Sequence, residues 1–276
     1  MIKCFLITVF FLSVQLFSQS FEFTTSIGDF EDASDFTVNS LGFIFVSDAA
    51  RNEIIKLDTN GVVHKTTGGY GWEKNSFDNP VSVFASGLNI IISDYNNHRI
   101  QLFDKDLNFI STFSNRNSKE SDESFGFPLS CLTNRQGDFF ILDSENKRII
   151  KYDLFGKFSH SFGAYDAGSL ALSNPSRIAI SPDGKIYIID GKSLVIFDEF
   201  GNGISKNRLS IRLSDIKFSS GYLVFCSKEN IYLSNVSDTP LDLSNYSFDN
   251  EIKSALLYND RLYILTNDKI HIFTKR

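Results

Sequence analysis

Apolar and polar residues alternate along much of the chain in short runs that end in Asp, Asn or Gly. Alternation at a period of two, bounded by such residues, predicts strands joined by tight turns. The pattern also recurs. Residues 43–61 read FIFVSDAARNEIIKLDTNG, residues 90–108 read IIISDYNNHRIQLFDKDLN, and residues 139–156 read FFILDSENKRIIKYDLFG. Each is an apolar strand ending in Asp (Asp48, Asp94, Asp143), a short polar turn, and a second strand ending in Asp (Asp58, Asp104, Asp153). The paired aspartates are ten residues apart in all three copies, and the first of each pair steps by 46 and then 49 residues.

Flanking residues keep this register. Pro80, Pro128 and Pro175 each stand just before the next apolar run. A fourth copy at residues 185–202 retains Asp190 and Asp198 with a turn two residues shorter, and fainter copies start at Tyr222 and Arg261. Each full unit reads as four strands; in the second unit they are VSVFAS, NIIISD, RIQLFD and NFISTF. Six four-strand units at a period of roughly 40–50 residues predict an all-β, six-bladed β-propeller of antiparallel blades. The last copy has only three strands, and residues 21–28 resemble the fourth strands of other units. The N-terminal strand is therefore expected to complete the last blade and close the ring, leaving no open radial edge. Residues 21–276 are expected to form one domain.

Residues 1–20 stand apart. Lys3 followed by the apolar run Cys4 to Phe17 and a small-residue Ser18-Gln19-Ser20 site reads as a signal peptide cleaved near Ser20. The expectation is a secreted or periplasmic protein without stable membrane insertion. Composition sharpens this. The 28 Phe and 10 Tyr beside one Met and one Trp favour strands over helices. Net charge is −6, becoming −7 when Lys3 leaves with the leader, which argues against a nucleic-acid partner. Beyond the leader only Cys131 and Cys226 remain, in different units, so a disulfide framework is not expected.

The turn Asp-x-x-Asn-x-Arg-Ile resembles the NHL repeat. Asp94, Asn97, Arg99, Ile100 and Phe103 match it best; Asp143, Asn146, Arg148, Ile149 and Tyr152 come next; Asp48, Asn52, Ile54 and Leu57 match it more loosely. The resemblance is strong over residues 29–198 and implies a six-bladed propeller, a fold that carries binding modules and enzymes alike. The motif also has a purely structural reading. Asp at a strand end accepts backbone N–H groups, Asn tolerates a left-handed turn, and Arg lies against the carboxylate or braces the next blade.

In a propeller the loops entering each blade share a face with the turns between second and third strands. Here that face collects the long loops 68–79, 114–127 and 163–174. It holds the candidate ligand-binding residues Tyr70, Trp72, His98, Arg99, Arg148 and Tyr165, a composition typical of binding hot spots. Catalytic signals are weaker. Related six-bladed lyases and lactonases hold a metal at the channel, but His64, His160 and His271 fall on outer strands and His98 in a turn. Asp35 and Asp215 lie near the starts of first strands, Asn39 and Asn134 near the ends, so the four are not expected to converge. The sequence therefore favours a monomeric, non-catalytic module without a cofactor, binding a protein, peptide or envelope glycan. The alternative is a metal-assisted lyase or lactonase with calcium or zinc at the channel.

Overall fold

The computed structural model describes residues 21–116, 121–235, 241–242 and 251–275. The leader expected over residues 1–20 lies outside them. Six four-stranded antiparallel sheets form a six-bladed β-propeller. The second blade shows the plan, with strands Pro80–Ser86, Asn89–Asp94, Arg99–Asp104 and Phe109–Phe113 running from the axis outward. First strands of the other blades are Ala33–Val38, Pro128–Thr133, Pro175–Ile180, Asp215–Ser219 and Ser254–Tyr258. As expected, Phe21–Ile27 pairs antiparallel with Ile270–Lys275 and becomes the outer strand of the sixth blade.

The core is divided into six wedges, one at each junction between blades. Ile90 and Ile92 pack toward the first blade with Phe45 and Ile54, whereas Ile91 packs toward the third with Ile141 and Tyr152. Side chains on a strand alternate between faces, and here both faces are covered. That is why second strands read as continuous apolar runs. The closing junction, between the sixth and first blades, joins Ile270 and Ile272 to Phe36 and Ile44, with Ile27 of the N-terminal strand in the same cluster. Cys131 and Cys226 are separate, buried, free thiols.

Four devices hold the ring in register. Pro80, Pro128 and Pro175 begin innermost strands, where a missing backbone donor is tolerated. A bulge follows in each of the first four blades, between Ala33 and Asp35, Pro80 and Ser82, Pro128 and Ser130, and Pro175 and Arg177. On the opposite face, the second aspartate of each pair builds a turn. Asp104 Oδ1 accepts the N–H groups of Asp106 and Asn108, and Asp58, Asp153 and Asp198 repeat the pattern. Lysines bridge adjacent blades on this side: Lys56 reaches Asp106 at 2.7 Å, and Lys151 reaches the Glu199 carbonyl at 3.2 Å.

The N-terminal strand buries Phe21 and Ile27 against the sixth and first blades. Losing two such side chains costs about 3–6 kcal/mol. Deleting residues 21–27 should therefore lower Tm by roughly 10 °C or more. An unchanged Tm in that truncation would refute closure by this strand.

Candidate functional site: the loop-bearing face

The first aspartate of each pair sits at the end of a second strand with its carboxylate buried, and it holds the loop arriving from the preceding blade. Asp48 accepts the N–H groups of Glu31 and Asp32. Asp94 accepts that of Asp78, Asp143 that of Gly126, and Asp190 those of Ser173 and Asn174. These aspartates are structural, as turn chemistry predicts. In the first blade the motif asparagine, Asn52, is the left-handed residue as expected, whereas in the second and third blades that residue is one position after the motif asparagine. Asn97 and Asn146 donate to their own aspartates at 3.0 and 2.8 Å, while Asn52, His98 and Lys147 take positive φ of 55°, 51° and 52°. An amide that bonds the carboxylate is held in place, so the next residue absorbs the backbone reversal.

Loop 69–79 is fixed from below by the second blade. Arg99 Nε meets Asp94 at 2.7 Å, and its remaining nitrogens donate to the carbonyls of Trp72, Glu73 and Ser76 at 2.5, 3.0 and 2.9 Å. Asn97 donates to the Gly71 carbonyl and Gln101 to that of Ser76. Burial pushes the Asp94 carboxyl up, against the Asp78 N–H, Asn97 and Arg99, which favour its charged form. Asn52 closes the base of the loop, its carbonyl accepting from Gly69 N–H and its side chain from Asn79 N–H at 2.7 Å. Gly68 opens the loop with φ 141°, and a Cβ there would stand 2.3 Å from the Asn52 carbonyl oxygen. Phe77 anchors the far end in the core. On this held backbone Tyr70 and Trp72 are 71% and 70% exposed, so neither folds back onto the blade.

The other candidate residues divide in two. Arg148 repeats the role of Arg99, meeting Asp143 at 3.2 Å and the Ser124 carbonyl at 2.8 Å. Nearby, Tyr152 donates to the Glu123 carbonyl, and burial pushes its phenol up to about 12. In the fourth blade the turn is shorter, and Lys206 from the outer strand supplies the cation instead, bonding Asp190 and the Ala171 carbonyl at 3.0 and 2.8 Å. His98 is a second Asn52. Its Nδ1 accepts the Phe127 N–H at 3.0 Å and a donor from Arg116 at 3.0 Å, with the ring against Phe127. Asn79 and Phe127 both directly precede the proline that starts the next blade, so Asn and His are alternative latches at one position. Arg99, Arg148 and His98 thus shape the loops. Tyr165, 94% exposed on the loop between the third and fourth blades, presents itself to solvent as Tyr70 and Trp72 do.

Near the axis, Asp35 and Asp215 do come together, with two cations that motif reading passed over. Lys217 Nζ lies 2.6 Å from Asp35, and Arg177 Nε 3.6 Å from Asp215. Ser82 and Ser254 donate to the two carboxylates at 2.9 and 2.6 Å. Asp35, Ser82, Ser130, Arg177, Asp215 and Ser254 occupy one register position in six first strands. Blade-by-blade alignment was the signal that could have found them. Asn39 and Asn134 instead organise turns at the other end of their strands. Among the described residues, no three of His, Cys, Asp and Glu are grouped to hold a metal ion. The opposite face has its own exposed apolar residues, Leu41, Leu88, Phe155 and Phe200, which hot-spot reasoning centred on the only Trp did not consider.

No family model matches the chain. In sequence it is similar to the protein brain tumor of Drosophila melanogaster, 30% identical over 149 residues, and to the B-box type zinc finger protein ncl-1 of Caenorhabditis elegans, 31% over 150 residues. The match covers 52% of this chain in both cases, but only 14% and 17% of those longer proteins. In structure it is similar to a streptogramin B lyase, with TM-score 0.62 and 15% identity over 92% of this chain and 97% of that one. It is also similar to virginiamycin B lyase from Staphylococcus aureus in complex with quinupristin, with TM-score 0.67 and 13% identity over 92% and 99% of the two chains. At such identities the likeness establishes the fold.

Replacing Arg99 with Leu removes the cation from the buried Asp94 and the side-chain donors from the Trp72 and Glu73 carbonyls, leaving that of Ser76 to Gln101 alone. It should cost about 3–5 kcal/mol in chemical denaturation and open loop 69–79 to limited proteolysis; a small loss with a protected loop would contradict the bracing role. His98 has a pH signature. Burial, then the Arg116 guanidinium, holds its pKa below the usual 6.5, against the opposing effect of Glu145. The unfolded chain then binds more protons below about pH 6.5, so stability is lost as pH falls through that value. His98→Asn should keep the latch and flatten the pH dependence of Tm between pH 7 and 5, whereas an unaltered profile would place the titration elsewhere.

Proposed function

We propose that this chain is an exported, non-catalytic recognition module of NHL type that captures a protein, peptide or envelope glycan on its loop-bearing face. The observation that carries the reading is the pairing of Tyr70 and Trp72, both largely exposed, with a loop backbone held by Arg99, Asn97, Gln101 and Asn52. Large aromatics with few rotatable bonds supply contact area at low entropic cost, and a fixed backbone lowers the cost of ordering on binding. The partial similarity to two much longer proteins fits a propeller serving as an interaction unit. Export rests on the leader pattern of residues 1–20.

Trp72 is the only tryptophan, so its fluorescence reports on this loop alone. Titrating peptide and glycan libraries into residues 21–276 should yield ligands that shift or quench its emission, and Tyr70→Ala should weaken them at least tenfold, about 1.4 kcal/mol. A ligand found by calorimetry that leaves the emission unmoved and tolerates both Tyr70→Ala and Trp72→Ala would place recognition on another surface.

A further inference from the structure

A cavity of about 740 Å³ runs along the first strands, from the layer holding Asp35, Arg177 and Asp215 to the turns on the face opposite Trp72, where Arg135 and Gln136 border it. Its size is that of a small-molecule site, roughly 300–1,000 Å³. One end is therefore charged and the other reaches the lower turns. Apolar residues line the stretch between, among them Phe84, Leu132, Ile180 and Leu256.

The cations at the charged end are incompletely used. Arg99 and Arg148 show how this protein treats an arginine that serves structure: each bonds its carboxylate and loop carbonyls. Arg177 makes one bond, from Nη1 to the Ser176 carbonyl at 3.1 Å, and its approach to Asp215 at 3.6 Å is too long for a hydrogen bond. Its second terminal nitrogen, Nη2, has no hydrogen-bond partner among the described residues. Lys217 carries three donors and bonds one acceptor, Asp35. Both cations keep about a fifth of the side chain accessible, and both line the cavity. The two carboxylates are, by contrast, supplied by serine hydroxyls and, for Asp35, by the N–H groups of Phe36 and Val83. The unmet hydrogen-bonding capacity at this end is that of donors, and an acceptor-only group would complete it.

We infer that the channel cavity binds a small organic carboxylate, its carboxylate held between Arg177 and Lys217 and its apolar body lying along Phe84, Leu132, Ile180 and Leu256. A planar carboxylate matches the guanidinium fork, and the apolar stretch selects for a hydrocarbon or aromatic body over an inorganic anion. This site is separate from the Trp72 face, and it stands or falls independently of the function proposed above.

Isothermal titration of residues 21–276 with acetate, hexanoate, benzoate and the neutral benzamide tests the inference. One site per chain is expected, with hexanoate or benzoate at least tenfold tighter than acetate, benzamide at least tenfold weaker than benzoate, and at least a tenfold loss in Arg177→Gln. Binding of no carboxylate below about 10 mM would overturn it. So would equal binding of benzamide, or equal binding of inorganic phosphate with no gain from an apolar body. Should Arg177→Gln fail to fold, the unsubstituted protein decides. Benzoate should protect Arg177 from phenylglyoxal, read by peptide mass spectrometry, and equal modification with and without benzoate would refute the site.

Discussion

A buried carboxylate receiving backbone N–H groups is the interaction on which this molecule depends. Asp48, Asp94, Asp143 and Asp190 are withdrawn from water at the ends of second strands, and a carboxylate in that position is tolerable only when its oxygens are occupied. The loop arriving from the blade before supplies the donors. Satisfying one carboxylate therefore fixes where the next blade begins. A cation completes the arrangement in all four of these blades, Arg51, Arg99, Arg148 or Lys206, and ties the same loop a second time through its carbonyls. Propeller stacking alone would position blades by nonspecific apolar contact. The carboxylate turns that contact into a defined register.

The same logic explains the fading of the motif. In the fifth and sixth blades Ser227 and Thr266 stand where the aspartate would be, and their hydroxyls bond residues within their own short turns. The incoming loops are held by backbone contacts instead, Ser214 N–H to the Cys226 carbonyl and Lys253 N–H to that of Leu265. Those blades carry no long loop braced by a strand cation in the described residues. Where a long loop is described, over 69–79 and in the described part of 114–127, the carboxylate–cation device braces it, which offsets the conformational entropy such a loop would otherwise keep.

Bracing and exposure divide the work on the loop-bearing face. Residues with charge and hydrogen-bonding capacity, Arg99, Arg148 and His98, are consumed in making the loops rigid. Residues with area and little flexibility, Tyr70, Trp72 and Tyr165, are left outside. At the axis the division reverses. Arg177 and Lys217 keep donors in hand, and a cavity with apolar flanks adjoins them. The loop tips and the axis thus offer different chemistries on one scaffold.

Blade number, strand order within a blade, the starting prolines and closure by residues 21–27 were all legible in the chain. Each follows from a repeat period, an alternation of two, or a turn residue, and these are local quantities. The structural role of the aspartates was legible for the same reason. What local reading could not settle was which polar side chains are spent. Arg99 and Trp72 look equally available in sequence, yet one lies under a loop bonding three carbonyls and the other is open to water. His98 reads as a turn histidine until it is placed beside Asn52 and seen to accept the same kind of N–H. Asp35 and Lys217 are 182 positions apart and meet only because the ring brings the first and fifth blades to a common axis. Local periodicity determined the blades; closure of the ring decided which charges meet and which aromatics remain exposed, because both depend on distances between blades that no single repeat contains.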